Sequence, residues 1–158
     1  MLFRSYDDKF NGYVTIEYAL EHSLNIPAVK SLKLLGTEQF IQKLSGCNFL
    51  QIQKDRKKLG LSIILGGCGT SLEELTTLFS SFANEGEFFA SSFSNRDHNG
   101  AKHRLMSKGA CYMVNDILCR VNRPDFPLDW SATEHMPRIA WKTGTSYGKR
   151  DAWSIGYN

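Results

Sequence analysis

A short run near the end of the chain, Lys142-Thr143-Gly144-Thr145, combines residue types that can bind a small anionic ligand. The lysine supplies a fixed positive charge, and the glycine lacks the Cβ atom that would obstruct an approaching backbone. Because strand side chains repeat every two residues, Thr143 and Thr145 lie on one face, where both hydroxyls can meet one carboxylate. Such an edge suits a peptide that is added as a further strand. Lys-Thr-Gly alone also fits a polar strand end without a function.

A second cluster, Ser23-Leu24-Asn25, lies at a predicted break between two helices. A hydroxyl and a carboxamide two residues apart in such an elbow can face one cleft. There Ser23 would relay a proton and Asn25 would hold a peptide carbonyl. Serine and asparagine are also common helix caps and turn residues. Taken alone, this cluster therefore favours a structural role.

The elements that must carry these clusters follow from hydrophobic spacing and from capping residues. Thr15 caps a predicted helix that ends at the Ser23 break. Pro27 suits the first turn of the next helix, and Gly36 ends it. A further helix is predicted from Thr37 to Gly46, with the glycine just after the last turn.

The later part of the chain is predicted to contain both helices and strands. Residues 47–70 are predicted to be irregular and residues 91–100 to form a polar loop. Ser71-Leu72-Glu73-Glu74 is a capping box that begins a helix, which a short strand at 87–89 follows. Ser107 caps another helix, whose predicted apolar stripe consists of Ala110, Met113, Val114, Ile117 and Leu118.

The last segments are predicted to form a β-hairpin. Residues 138–145 and 152–157 have the composition of strands, and a turn at 146–150 connects them. The order of elements, helices first and a hairpin last, predicts one mixed α and β domain.

Composition excludes several classes of protein. The 158 residues are 42% apolar and 22% charged, which is typical of one globular domain. The net charge of +3 gives no reason to expect a nucleic-acid partner. No apolar run is long enough to span a bilayer, and the first residues lack the apolar region of a signal peptide.

Cysteine and histidine spacing gives no indication of a metal site. The four cysteines form no Cys-x-x-Cys pair, and the four histidines have no ligand-like spacing with them. We therefore predict neither a metal nor another cofactor. The thiols are expected to pack as small apolar groups, and the redox compartment stays open.

Ser-x-Asn followed more than a hundred residues later by Lys-Thr-Gly-Thr is typical of penicillin-binding proteins and class A β-lactamases. Segments 12–30, 61–74 and 141–156 extend the match, and the chain resembles the transpeptidase domain of class A penicillin-binding proteins. The resemblance runs in order along most of the chain and is weakest at 91–137.

This resemblance implies a mixed α and β fold, namely part of the penicillin-binding transpeptidase or β-lactamase-like fold. Residues 1–158 would then be a partial transpeptidase domain, with a mainly helical lobe over about 1–85. The antiparallel sheet strands would include a C-terminal β-hairpin over about 138–158. For the complete protein, the resemblance implies the periplasmic face of the bacterial inner membrane.

The implied reaction is serine acyl transfer at the D-Ala-D-Ala end of peptidoglycan stem peptides, and β-lactams would bind as mimics of that substrate. Ser23 would shuttle a proton to the leaving nitrogen, and Lys142 would set the electrostatic field around it. Asn25 would hold a substrate amide. Thr143 and Thr145 would bind the substrate carboxylate, Gly144 would belong to the same substrate-binding run, and the Thr145 N–H would supply half of the oxyanion hole.

The nucleophilic Ser-x-x-Lys motif of this family is absent from the 22 residues that precede Ser23. Its one formal match, Ser146-Tyr147-Gly148-Lys149, lies in a predicted turn, whereas the spacing needs a helix to bring both side chains together. We therefore expect the C-terminal part of a transpeptidase domain, which is inactive by itself. Apolar residues that the nucleophile helix would cover should make it self-associate.

Three alternatives stay open. A class A β-lactamase-like hydrolase shares both later motifs but needs a deacylating glutamate, for which the sequence offers no convincing candidate. A non-catalytic peptide-binding or scaffold module would keep the docking edge without chemistry. An unrelated small basic domain requires both clusters to be accidental. The origin of the missing motif and the identity of the acyl acceptor also stay open.

Overall fold

The computed structural model describes residues 12–92, 102–120, 138–146 and 150–158. Across these ranges it contains six α-helices and two antiparallel two-stranded sheets, which confirms the mixed α and β class. The helices are α1 (Ile16–Glu21), α2 (Asn25–Leu35), α3 (Thr37–Gly46), α4 (Leu50–Asp55), α5 (Leu72–Ala83) and α6 (Lys108–Leu118). The strands are β1 (Glu87–Phe89), β2 (Lys102–Arg104), β3 (Ala140–Thr145) and β4 (Ala152–Tyr157).

The first three helices begin and end close to the predicted residues. The Thr15 side chain accepts a hydrogen bond from the Tyr18 N–H at 3.1 Å, which caps α1. Pro27 lies in the first turn of α2, where its missing N–H costs no helical hydrogen bond. Gly36, with φ of 92°, ends α2. Gly46 is the last helical residue of α3 and not the residue after it, since Cys47 is the C-cap.

The prediction that residues 47–70 are irregular is wrong for much of this segment. It contains α4 and two 3-10 helices, Arg56–Lys58 and Leu61–Leu65. α4 has only six residues and no side-chain cap, so no local sequence signal predicts it. Ile52, which is 1% exposed, shows that burial against the rest of the protein stabilises this helix.

The main apolar core lies among these helices and β1. Its members come from α2 to β1 along the chain, and Phe88 on β1 is completely buried. We call this set the Phe88 cluster: Leu32, Ile41, Cys47, Phe49, Ile52, Ile63 and Phe88. The four cysteines are free; Cys47 and Cys111 are buried like small apolar residues, while Cys68 and Cys119 are partly buried.

The predicted capping box at the start of α5 is confirmed. The Ser71 hydroxyl accepts from the Glu74 N–H at 3.1 Å, and a Glu74 carboxylate oxygen accepts from the Ser71 N–H at 2.8 Å. After α5 the chain turns at Glu85 and Gly86, both with positive φ, and enters β1 as predicted.

Strand β2 was not predicted from the sequence. It pairs antiparallel with β1, and Glu87 forms ion pairs with Lys102 and Arg104 across the two strands. Its sequence Lys-His-Arg has no apolar alternation, so the pairing with β1 decides its conformation. Most of the predicted polar loop, residues 93–101, lies outside the described residues.

α6 begins after Ser107 as predicted, and the Ser107 hydroxyl accepts from the Ala110 N–H at 3.2 Å. The predicted stripe is wrong in part, since Met113 is 65% exposed and Ala110 is also exposed. Leu118 is buried as predicted, and Cys111, which the stripe did not include, is buried with it. Asn115, at i+4 from Cys111, is a partly buried polar residue on this inner face, where its amide finds hydrogen-bond partners.

The pairing of the two predicted C-terminal strands is confirmed, whereas residues 147–149 of the predicted turn lie outside the described residues. β3 and β4 pair antiparallel, with Lys142 opposite Ile155 and Thr145 opposite Ala152. β3 packs against α6, and β4 packs against α5. None of the helices in the described ranges has the length and apolarity that crossing a membrane requires.

Candidate functional site

Ser23 lies in a tight helix end that exposes its side chain. The Leu24 N–H donates to the Ala19 carbonyl at 2.9 Å, and the Ser23 N–H donates to the Leu20 carbonyl at 3.2 Å. This pair of bonds is a Schellman motif, which requires a left-handed residue that is usually glycine. Ser23 occupies that position with φ of 52°. Such a conformation costs a non-glycine residue about 1 kcal/mol and often marks a functional position.

Lys142 on β3 contacts Ser23 directly, although 119 positions separate the two residues. The Lys142 ammonium donates to the Ser23 hydroxyl at 2.5 Å and to the Thr143 carbonyl at 2.6 Å. Burial lowers the pKa of Lys142 below its ordinary value of 10.5, because the charged form loses hydration. The structure thus brings the two predicted clusters together.

Asn25 is the first residue of α2 and is partly buried, two positions beyond Ser23. On the hairpin, Thr143, Gly144 and Thr145 are exposed and pair with β4 through Ser154, Trp153 and Ala152. Among the described residues, the other edge of β3 pairs with no strand. The exposed residues and this open edge leave room for an extended ligand.

Gly144 is not required by the packing of the described residues. A Cβ atom built at this position would meet no heavy atom within 4 Å. The glycine also has no positive φ that would exclude other residues. Its small size therefore leaves free space on the solvent side of β3.

Two side chains that the motifs did not indicate attach the hairpin to the helices. The Tyr157 hydroxyl donates to the Asn115 side-chain oxygen at 2.9 Å, and the Asn115 amide donates to the Phe82 carbonyl at 3.0 Å. The Tyr157 ring lies against Phe79 and Phe82, and burial raises the pKa of its hydroxyl. The only sequence signal is an aromatic residue at the end of an alternating strand.

Ser146, the formal Ser-x-x-Lys match, ends β3 at the hairpin turn. Its hydroxyl accepts from the Asp151 N–H at 2.9 Å and donates to the Asp151 carboxylate at 3.1 Å. These contacts join Ser146 to the start of the segment that enters β4, and Ser146 follows a strand instead of lying in a helix; the rest of the formal match, residues 147–149, lies outside the described residues. The structure gives Ser146 a local structural role.

Other candidate sites are weaker. In the described part of the chain, no three His, Cys, Asp or Glu residues lie close enough together to hold a metal ion. A groove of about 360 Å³ between α3 and β2 is lined by residues that include Lys43 and Arg104. Lys43 donates to the Leu105 carbonyl and Arg104 pairs with Glu87. Both cations therefore already have partners within the protein. Ser23 and Lys142 do not line this groove.

Comparison with known proteins identifies relatives along nearly the whole chain, although no protein-family model matches it. Penicillin-binding protein 1C of Escherichia coli K12 is 36% identical over 155 residues, which cover 98% of this chain and 20% of the relative. Penicillin-binding protein 1F of Bacillus subtilis 168 is 32% identical over 173 residues, covering 98% and 23%. Penicillin-binding protein 1A/1B of the same bacterium is 28% identical over 181 residues, covering 98% and 19%.

The chain therefore spans about a fifth of the length of these relatives. The resemblance to class A penicillin-binding proteins that the motifs indicate is confirmed.

Proposed function

Because this chain corresponds to one segment of the class A penicillin-binding proteins, we propose that it forms two walls of a D,D-transpeptidase site. One wall is the Ser23-Leu24-Asn25 elbow, and the other is the Lys142–Thr145 edge of β3. The substrate would be the D-Ala-D-Ala end of a peptidoglycan stem peptide. The observation that carries this proposal is the hydrogen bond between Lys142 and Ser23.

In the proposed reaction, a serine from a Ser-x-x-Lys motif attacks the penultimate D-alanine carbonyl and forms an acyl-enzyme. The terminal D-alanine then leaves, and its nitrogen takes a proton. Ser23 relays this proton, which the nucleophilic serine released on attack. An amine of a second stem peptide then attacks the acyl group, and a proton returns by the same route. The Lys142 charge keeps the Ser23 hydroxyl oriented as an acceptor of its hydrogen bond and lowers the energy of negative charge nearby.

The substrate would bind along the open edge of β3. Thr143 and Thr145 alternate on one face, so both hydroxyls can contact the terminal carboxylate, whose charge Lys142 complements. Asn25 would hold a substrate amide, and the Thr145 N–H would donate to the developing oxyanion. Gly144 lies on the same face of β3 as Lys142, and a Cβ atom there would meet no part of the described protein, so the space beside Lys142 stays open for a ligand.

The first test titrates N-acetyl-D-alanyl-D-alanine into the 158-residue polypeptide and monitors binding by NMR chemical shifts. Saturable shifts at the β3 residues are expected, and both Lys142→Ala and Gly144→Ala should abolish them. Lys43→Ala is the matched control, because this lysine donates to a backbone carbonyl elsewhere in the fold. Equal binding by all four proteins would contradict the proposed site.

The second test asks whether the segment supports acyl transfer. The 158 residues replace the matched 155 residues of Escherichia coli penicillin-binding protein 1C, and the chimera is labelled with a fluorescent penicillin. We expect covalent labelling that Ser23→Ala and Lys142→Ala reduce by about tenfold or more, in line with the loss of a general acid or base. Labelling that survives both substitutions would remove them from the proposed chemistry.

The 158-residue polypeptide alone is proposed to be inactive, because no Ser-x-x-Lys precedes Ser23 in this sequence. Loss of the nucleophile leaves serine enzymes with only binding and electrostatic contributions. Incubation with a fluorescent penicillin, followed by denaturing electrophoresis, should give no band. A covalent band would contradict this, and its loss in Ser23→Ala would show that acylation requires Ser23.

A non-catalytic peptide-binding module is the second candidate, which the open edge of β3 favours. It predicts the same peptide titration but no acylation of the chimera. A class A β-lactamase-like hydrolase would instead give a chimera that turns over nitrocefin rapidly. The two tests together therefore separate all three functions.

We also propose that the isolated polypeptide self-associates. Several large apolar side chains are exposed, which is unusual for a soluble monomer when they adjoin one another. They include Tyr13, Ile16, Leu34, Leu50, Leu72, Tyr112 and Met113. Sedimentation velocity should show a mass that rises with concentration, and a monomer at all concentrations would contradict this. For the complete protein, the proposed location is the periplasmic face of the inner membrane.

A further inference from the structure

α6 contacts both elements that carry the Ser23–Lys142 pair. The chain packs α6 against α1, which ends two residues before Ser23, and also against β3, which carries Lys142. The side chains that connect these three elements are therefore candidates for setting the distance between the clusters.

Charged side chains of alternating sign make these connections. The Asp116 carboxylate on α6 accepts from Arg138 at 2.7 Å and from Arg120 one helical turn away. Arg120 also donates to Glu17 in the first turn of α1 at 2.6 Å. The order is Glu17, Arg120, Asp116 and Arg138, and we call this set the ion-pair chain.

The ends of the ion-pair chain lie close to the site in sequence. Glu17 is six positions before Ser23, and Arg138 is four positions before Lys142. Asp116 is the one member that binds two arginines, and its side chain is 23% exposed, compared with 51% for Arg120 and 67% for Arg138. Removing Asp116 therefore releases Arg138 and leaves Arg120 held by Glu17 alone.

We propose that Asp116 is a positioning residue, which holds the Ser23 elbow against Lys142 through Arg120 and Arg138. Its importance for substrate rests on the proposed function, whereas its effect on the geometry of the pair does not. Asp116 touches neither member of the pair, so it acts only through the two arginines.

The expected consequence is a looser site and not an unfolded protein. Exposed ion pairs contribute little to global stability individually. The hairpin also keeps its second attachment to α6, because the Tyr157–Asn115 hydrogen bond does not involve Asp116. In Asp116→Asn, the hairpin should thus stay on α6, while Arg120, and with it the α1 end, is no longer fixed relative to Lys142.

The direction of a pKa change distinguishes positioning from simple electrostatics. If the Ser23 elbow moves away, Lys142 regains hydration and its pKa rises towards the ordinary value. If Asp116 acted only as a distant negative charge, its removal would lower the pKa of Lys142, since a carboxylate stabilises an ammonium ion. The two explanations therefore predict opposite signs.

The experiment measures the pKa of Lys142 by NMR of the lysine-labelled 158-residue polypeptide. Asp116→Asn should raise it, and Asp116→Glu should restore the wild-type value. Lys108→Gln is the matched control, because it removes an ion pair of α6 that reaches only Glu85. An unchanged or lowered pKa in Asp116→Asn, or an equal rise in Lys108→Gln, would overturn the proposal.

Salt and peptide binding complete the test. High salt should raise the pKa of Lys142 in the wild type and have less effect in Asp116→Asn, because that variant has already lost two of the ion pairs that salt weakens. Asp116→Asn should weaken N-acetyl-D-alanyl-D-alanine binding by about threefold or more. If the wild type binds no peptide but the pKa changes as expected, the proposed function fails and the positioning role stands. Equal peptide affinity in wild type and Asp116→Asn would overturn the positioning role.

Discussion

The Phe88 cluster and the region around Ser23 and Lys142 are stabilised by different interactions. The first is a set of apolar side chains, each at most 5% exposed. The second comprises α1, α6 and the β3–β4 hairpin, and it combines small buried side chains such as Ala19 and Ala140 with the ion-pair chain and the Asn115–Tyr157 hydrogen bond. Apolar burial depends little on salt, whereas exposed ion pairs weaken as salt screens them.

This difference separates stability from site geometry. Substitutions in the Phe88 cluster should change the free energy of unfolding of the whole domain. Substitutions around Ser23 and Lys142 should change the site while most of the fold persists. The following predictions test this contrast, beginning with the largest expected effect.

Phe88→Ala should lower the free energy of unfolding by about 3–5 kcal/mol, because it leaves a cavity in the completely buried part of the core. Urea denaturation followed by circular dichroism measures the change. Phe89→Ala is the matched control. Phe89 is the next residue along β1 and is 41% exposed, so its truncation should lower the free energy of unfolding by about 1 kcal/mol or less. Similar losses for the two variants would contradict a core centred on Phe88.

Cys47 should make the Phe88 cluster sensitive to alkaline pH. Burial raises the pKa of Cys47 from 9.0 to about 11, and Lys43 offsets only part of this effect. The folded state therefore keeps the thiol proton that the unfolded state releases, so its contribution is complete below pH 9 and is lost as the pH rises towards 11.

The expected loss across this range is about 1–2 kcal/mol, measured by urea denaturation at several pH values. Cys47→Ala should remove that part of the pH dependence while costing some stability at neutral pH. The pH dependence should be the same at low and high salt, in contrast to the pKa of Lys142. An identical alkaline slope in Cys47→Ala would exclude Cys47 as its cause.

Tyr157→Phe should lower stability by about 1 kcal/mol, because it removes the hydrogen bond that attaches β4 to Asn115. Amide hydrogen exchange should become faster in the β3–β4 hairpin and stay unchanged in α3. Tyr112→Phe on the exposed side of α6 is the control and should change neither quantity. Faster exchange throughout the protein would show that the hairpin does not loosen separately.

Ser23→Gly should raise stability by about 0.5–1 kcal/mol, since glycine adopts the left-handed conformation without strain. The same substitution should weaken peptide binding, because Lys142 loses the hydroxyl that holds its ammonium group in place. Asn48→Gly is the matched control: Asn48 has φ of 62° after α3 and lies outside the proposed site. It should change stability without affecting binding, and a loss of stability in Ser23→Gly would contradict the strain argument.

Local sequence signals predicted the elements that are determined locally. The Thr15, Ser71 and Ser107 caps form as expected, because a cap needs only a hydroxyl a few residues from a free N–H. The hairpin also follows from alternation and a turn. By contrast, α4 depends on the burial of Ile52, and β2 depends on its pairing with β1, which a linear sequence does not contain.

The contact between Ser23 and Lys142 lies between these extremes. No periodicity predicts a contact across 119 positions, and only the combination of two motifs indicated that the clusters meet. No motif predicted the contacts of Asp116 and Asn115, since both look like ordinary polar residues of an amphipathic helix. The roles of Asn25, Thr143, Gly144 and Thr145 stay predictions that the binding experiments address.

Gly86 lies between α5 and the β1–β2 ribbon, and its surroundings restrict which residues this position can accept. Its φ is 84°, and a Cβ atom built there would lie 2.6 Å from the Met106 carbonyl oxygen. Any larger residue would push the ribbon outward. Phe88, which lies two residues after Gly86, would then move out of the core. Gly109, where a Cβ atom would meet none of the described atoms, can accept alanine. A saturation library selected for folding should therefore retain only glycine at 86 but a broad residue spectrum at 109.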